Sequence, residues 1–226
     1  MQMTETRRWR FKGPEMEGPV ARWYARVRGS KSQLDAYREQ ASQITAGLPA
    51  GARVLEVAFG PGYLAIEMAR LGFHVTGLDI SRTFVEIATE NARQAGVTVD
   101  FRQGDVAQMP FESSSFDRVV CQAAFKNFTL PQSALADMHR VLRYGGTAVI
   151  QDMSRDATHA DIEREVEGMD LGRISAFTTK ATLEMLKRRA YAPSRLERLG
   201  RHSPFATCEI TTEGIGLEVR LTKELE

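Results

Sequence analysis

The stretch Leu55–Leu64, "LEVAFGPGYL", places an acid, Glu56, at the end of an apolar run and follows it with Gly60-Pro61-Gly62. Glycines without a Cβ let backbone approach a ligand closely. A helix starting near Tyr63 would add free N–H groups and the positive end of its dipole. That end suits a carboxylate or a phosphate. Glu56 argues against a pyrophosphate, which it would repel, and for a ligand that also carries positive charge. Two more acids follow apolar runs: Asp79 in "GLDIS", 23 residues after Glu56, and Asp105 in "QGDVAQMPF". If all three runs are parallel strands, the three acids reach one edge of a sheet, where such folds bind ligands.

The surrounding pattern supplies those strands. "ARVLEV" (52–57), "FHVTGLD" (73–79), "VTVDF" (97–101), "FDRVVC" (116–121) and "TAVIQD" (147–152) read as strands. Between them lie helical stretches: "YLAIEMARLG", a segment capped by Ser81 and closed by Gly96, and "PQSALADMHRVLR", ended by Gly145-Gly146. Strands alternating with helices predict an α/β fold with a doubly wound, mostly parallel sheet. "TCEITTEGIGLEVRLTK" (207–223) reads instead as a hairpin, which puts an antiparallel strand near one edge. Before the core, residues 14–48 predict two helices parted at Gly29-Ser30. The first carries Val20, Trp23, Tyr24 and Val27 on one face; the second carries Leu34, Tyr37, Ala41, Ile44 and Leu48. A helical insert, 154–200, lies between core and hairpin. Ile162, Val166 and Met169 share one helical face there, and Leu183, Leu186 and Ala190 continue it in a further helix.

The acids define the ligand further. Asp79 can accept both hydroxyls of a ribose, and Asp105 can accept from an adenine amino group while the Val106 N–H donates to a ring nitrogen. Ile80 and Met109 could sandwich the base. A ligand carrying both a carboxylate and a positive charge fits, and S-adenosylmethionine (SAM) is such a ligand. The ordered set "VLEVAFGPG", "VTGLDIS", "QGDVAQMPF", "SFDRVV", "ALADMHRVLRYGG" and "AVIQD" resembles class I SAM-dependent methyltransferases, in particular the ubiquinone and menaquinone C-methyltransferase-like group of small-molecule enzymes. The resemblance covers about residues 50–153 and the terminal hairpin. It implies a Rossmann-like, seven-stranded sheet with an N-terminal helical lid. It implies one domain over 1–226, divided into a cap (1–48), a SAM-binding core (50–153), the insert (154–200) and the hairpin (207–223). It also implies that Glu56, Gly60 and Gly62 line the methionine portion, that Asp79 holds the ribose and Asp105 with Val106 the adenine, and that the strand end at Cys121-Gln122 offers a carbonyl to the ammonium. Ala58 stands where the family usually has glycine. "AAFKNF" replaces a histidine-rich stretch, so Lys126 and Asn127 are the acceptor-side candidates.

Other classes are less well supported. A net charge of +1 gives no general argument for nucleic acid or membrane. No apolar run reaches the roughly 20 residues of a membrane span, and "MQMTETRRWRFKG" lacks the apolar segment of a signal peptide. The expectation is a cytoplasmic protein. The cysteines, Cys121 and Cys208, indicate no disulfide framework, and no His/Cys cluster has metal-ligand spacing. Of the histidines, His74 begins a strand and His139 lies within a helix, so neither reads as a base; His159 and His202 lie in or beside the insert. The basic run "KRRAYAPSRLERLGR" reads first as a solvated helix face, then as a site for RNA or an anionic substrate. Two alternatives stay open: a nicotinamide-dinucleotide oxidoreductase, against which Ala65 occupies the third glycine's place, and a non-catalytic SAM-fold module. The acceptor is expected to be a small molecule; the oligomeric state is not specified.

Overall fold

The computed structural model describes residues 16–169 and 172–225. The N-terminal stretch read against a signal peptide, and the first residues of the predicted cap, lie outside them. Eight helices and seven strands follow in chain order among the described residues: α1 Gly18–Arg28, α2 Lys31–Thr45, β1 Arg53–Val57, α3 Tyr63–Arg70, β2 His74–Asp79, α4 Arg82–Ala95, β3 Asp100–Gln103, β4 Phe116–Gln122, α5 Pro131–Val141, β5 Leu142–Met153, α6 His159–Gly168, α7 Arg173–Lys187, α8 Pro193–Arg201, β6 Thr207–Glu213 and β7 Gly216–Thr222. The sheet order is β3-β2-β1-β4-β5-β7-β6. β7 alone runs antiparallel to its neighbours. The order reverses between β1 and β4, which makes their carboxyl ends the switch point where such sheets open a crevice.

Helices cover both faces, so the central strands are buried almost throughout. On one face Tyr37, Ala41 and Ile44 of α2 and Leu64 and Met68 of α3 pack on Val54, Val75 and Val120. On the other, Leu135 and Met138 of α5 and Leu196 of α8 pack on Val119, Ile150, Val219 and Leu221. Two buried cations fasten helix ends to the sheet. Arg118 of β4 donates to the Ile44 and Ala46 carbonyls at the end of α2. Lys223 donates to the His139 and Leu142 carbonyls at the end of α5. Cations at helix C-termini satisfy open carbonyls and complement the dipole.

Ser81 caps α4 through its Oγ, which accepts from the Phe84 N–H at 3.1 Å, and Gly96 closes that helix at φ +69°. Four readings need correction. β3 starts at Asp100 rather than Val97, because its register is set by Phe101 packing over Gly77. α5 ends at Val141, not Arg143: Leu142 is fully buried and pairs with Phe116, the next register pair is Arg118 with Thr147, and Gly145 and Gly146 lie in the bulge between them. The apolar stripe of α1 points outward: Val20, Trp23 and Val27 are 46%, 61% and 51% exposed, while Ala21 and Ala25 face the protein. Small residues let α1 lie close, with Tyr24 edge-on to Phe84. In the insert, Ile162 and Val166 are buried but Met169 is exposed, Ala190 lies beyond α7, and a third helix, α8, carries the end of the basic run.

A Cβ on Gly77 would lie 2.5 Å from a Phe101 ring carbon and 2.6 Å from one of Phe59. Those rings pack on each other, with centroids 4.6 Å apart. Gly77→Ala should therefore cost about 1–3 kcal/mol in urea denaturation, as overpacking does, and Phe101→Leu should recover part of that loss. An unchanged midpoint would show that the rings yield freely.

Candidate functional site

The carboxyl ends of β1 and β2 hold two buried acids. Asp79 ends β2 and is 6% exposed. One of its oxygens accepts the Gly60 N–H at 2.9 Å and the other the Ser81 N–H at 2.9 Å. One carboxylate thus ties the glycine turn to the cap of α4. Burial nevertheless pushes its pKa up to about 6. Glu56, 2% exposed, accepts the Ala65 N–H in the first turn of α3, and its other oxygen has no hydrogen-bond partner. Burial, reinforced by Asp79, pushes Glu56 up to about 8. A buried carboxyl with an open acceptor is a place for a cationic donor.

The turn between them is strained where the sequence departs from glycine. Ala58 holds φ +55°, and Ala123, beyond the end of the adjacent β4, holds φ +54°. Non-glycine residues adopt that region at a cost of about 1–3 kcal/mol, and they cluster at ligand sites. Each donates its N–H to a neighbouring strand: Ala58 to Leu78 O and Ala123 to Gln151 O, both at 2.7 Å. The two glycines differ in role. A Cβ on Gly60 would meet only Tyr24 at 3.9 Å, so there is room there. At Gly62 the space is filled by Ala88 at 2.7 Å and Phe101 at 2.8 Å, so this glycine serves the packing of α3. Above the turn, α1 is fixed to α4: both Glu17 carboxylate oxygens accept from the Arg82 and Thr83 N–H groups, and Ser81 Oγ donates to Met16 O.

The remaining predicted residues lie along the same edge. Asp105 is half-buried, with Oδ1 accepting the Ala107 N–H at 2.9 Å in a tight turn. Ile80 and Val106 are half-buried, and Val106 packs on the core. Met109 is 4% exposed within that core, so it does not offer a face to a base. Cys121 is fully buried, and burial pushes its thiol well up. Gln122 donates to Gln40 of α2, Gln40 to Gln151 of β5, and Gln151 to Glu218 of β7, at 2.5, 2.6 and 2.7 Å. This chain of amides anchors α2 to three strand ends. His159 bonds Glu184, and the His202 ring bonds Arg198 O.

Lys126 is not a surface lysine. It is 8% exposed in a short 3-10 turn, Phe125–Asn127, and its Nζ lies 2.6 Å from Asp152 Oδ1. Asp152 Oδ2 also accepts the Lys126 N–H, and Nζ donates to Ala123 O. The ammonium is therefore committed to holding the loop. Asn127 beside it is half-buried. Sequence reasoning passed over Asp152, although it stands next to last in β5, as Glu56 does in β1. Glu17 and Gln40 carried no local signal.

Residues 55–150 match the family described as "Methyltransferase domain". The ubiquinone biosynthesis O-methyltransferase of Xanthomonas axonopodis pv. citri is 35% identical over 108 residues, 47% of this chain and 45% of that protein. The demethylmenaquinone methyltransferase of Deinococcus radiodurans is 33% identical over 108 residues, with the same coverage. A SAM-dependent methyltransferase from Aquifex aeolicus superposes with a TM-score of 0.68 at 15% identity, covering 88% of this chain and 96% of that one. Residues 55–150 are thus similar to a methyltransferase domain, and the fold is the one SAM-dependent methyltransferases share. It spans about half the length of the curated relatives it matches. The fold alone does not fix the chemistry: the 4+2 cyclase SpnF superposes with a TM-score of 0.64 at 17% identity, covering 85% of this chain and 81% of its own. No helix among the described residues is long and apolar enough to cross a membrane.

The two raised acids set a pH signature. Unfolded, Glu56 ionises near 4.5; folded, near 8. The folded state binds the extra proton between those values, so the ligand-free protein loses stability as pH rises from about 4.5 to about 8. Asp79 adds the same sign between 3.8 and about 6. Glu56→Gln should flatten the upper part of that decline. Its Tm should gain on the parent by roughly 5 °C between mildly acidic and mildly alkaline buffer. Parallel curves for parent and variant would show that Glu56 is ionised when the site is empty.

Proposed function

We propose that the protein transfers a methyl group from SAM to a small-molecule acceptor. The observation that carries this reading is the buried Glu56 oxygen without a partner, set between the glycine turn and a second buried acid, Asp79. The residues fit the cofactor. Ionised Glu56 offers its open oxygen to an ammonium group. Asp79 spends acceptor positions on backbone N–H groups, and a carboxylate has about four, so capacity remains for a ribose hydroxyl. Asp105 and Val106 stand two strands along for an adenine. The room at Gly60 admits close approach, and the Cys121-Gln122 strand end offers its main chain. In this reading residues 1–226 form one methyltransferase domain.

SAM, when bound, supplies a methyl group already activated by a sulfonium. The chain's task is then to align the acceptor and exclude water. α1, with Tyr24 over Gly60, covers the turn. Lys126 paired with Asp152 braces the loop after β4 and leaves Asn127 to orient a polar acceptor. With the lysine so engaged, it does not serve as a free base, which favours an acceptor that is itself nucleophilic. The names of the curated relatives point toward the quinone class.

Asp79→Ala should weaken SAM binding by about 1.5–3 kcal/mol, the range for hydrogen bonds to charged groups. Calorimetry on a variant whose circular dichroism is unchanged would measure it. Equal affinity in parent and variant would remove Asp79 from the cofactor site.

A further inference from the structure

Beside the loop after β4 lies a cavity of about 210 Å³. Arg155, Arg188, Arg189 and Arg195 line it, together with Lys126 and Tyr191, and no carboxylate does. It sits on the carboxyl edge of β4 and β5. Lys126 follows β4, Arg155 follows β5, and a parallel bridge from Ser154 to Tyr191 brings the basic run across. None of the four arginines has an ion-pair partner among the described residues, whereas Lys126 is matched by Asp152. Four uncompensated guanidinium groups therefore face one small space.

Two of these groups, Arg155 and Arg195, are also held in place. The Arg195 guanidinium lies 5.0 Å from the centre of the Tyr191 ring, and Tyr191 is itself buried against Phe125. The Arg155 N–H donates to Tyr191 O at 3.0 Å, and its side chain to Arg188 O at 3.4 Å. Stacked and backbone-tied arginines lose little freedom on meeting a planar or tetrahedral anion, which their forked donors match.

We propose that this cavity binds the acid group of the methyl acceptor, a carboxylate or a phosphate, so that the substrate is a small organic anion. The inference rests on the methyl-transfer reading of the neighbouring cleft. A small anion is favoured over a polyanion by the size of the cavity and by a net charge of +1 over the whole chain. RNA binding draws on charge spread along a face, and here the basic groups converge.

Calorimetry separates the two readings. S-adenosylhomocysteine is titrated first, then benzoate, phenyl phosphate and neutral benzamide. At least one anion should bind ten or more times tighter than benzamide, and the better of the two identifies carboxylate or phosphate. The four arginines are exposed, so Arg188→Gln with Arg195→Gln should fold. That double variant should lose at least tenfold in anion affinity, about 1.4 kcal/mol, with S-adenosylhomocysteine affinity unchanged. Anions that bind no better than benzamide, or equally well to the variant, overturn the proposal. So does tight, salt-sensitive binding of poly(U) that the double variant loses. Failure of S-adenosylhomocysteine to bind, with arginine-dependent anion binding retained, strikes the methyl-transfer reading and supports the cavity.

Discussion

One carboxylate holds two loops. Asp79 accepts an N–H from Gly60 and another from Ser81, and so fixes the glycine turn after β1 against the cap of α4. Burial works against this arrangement by raising the acid's pKa, and the two backbone donors work for it. The neighbouring Glu56 has one donor and one open oxygen. The difference between the two acids is a difference in unmet hydrogen bonding. It marks Glu56 as the carboxyl with an acceptor to spare and Asp79 as the post that joins the two loops.

Away from this centre, the edge is organised by polar links between elements distant in sequence. Glu17 holds α1 to the start of α4. The amide chain from Gln122 through Gln40 and Gln151 to Glu218 holds α2 to β4, β5 and β7. Lys126 and Asp152 hold the loop after β4 to the end of β5. An ion pair this deeply buried is costly to break, because one charge would remain uncompensated. Its value here is to fix the loop after β4 against the end of β5.

Much of this was legible in the sequence. Period and punctuation placed the parallel strands, the cap at Ser81 and the hairpin. The acids at Glu56, Asp79 and Asp105 stood out because strand ends share an edge once the strands are parallel. What stayed hidden depended on contacts between distant residues. Nothing local says that Gly62 is glycine because Ala88 and Phe101 fill its space, or that Phe101 sets the start of β3. The outward stripe of α1 misled because apolar spacing defines a face without saying which way it points; the small residues Ala21 and Ala25 decide that. Lys126 stood out as an acceptor-side candidate, but nothing near it in sequence pointed to Asp152, which engages its ammonium.

Gly29, at the junction of α1 and α2, would place a Cβ 2.5 Å from the hydroxyl of Tyr63, the first residue of the helix after the glycine turn. That hydroxyl donates to Ala25 O in α1. Positions 29 and 63 thus form one unit for evolutionary drift. A larger residue at the junction would displace the Tyr63 hydroxyl from the α1 carbonyl it holds, and a smaller residue at 63 gives up the same bond. Lineages that change this remote junction should carry the matching change beside the glycine turn, so the cap and the turn are expected to diverge together rather than independently.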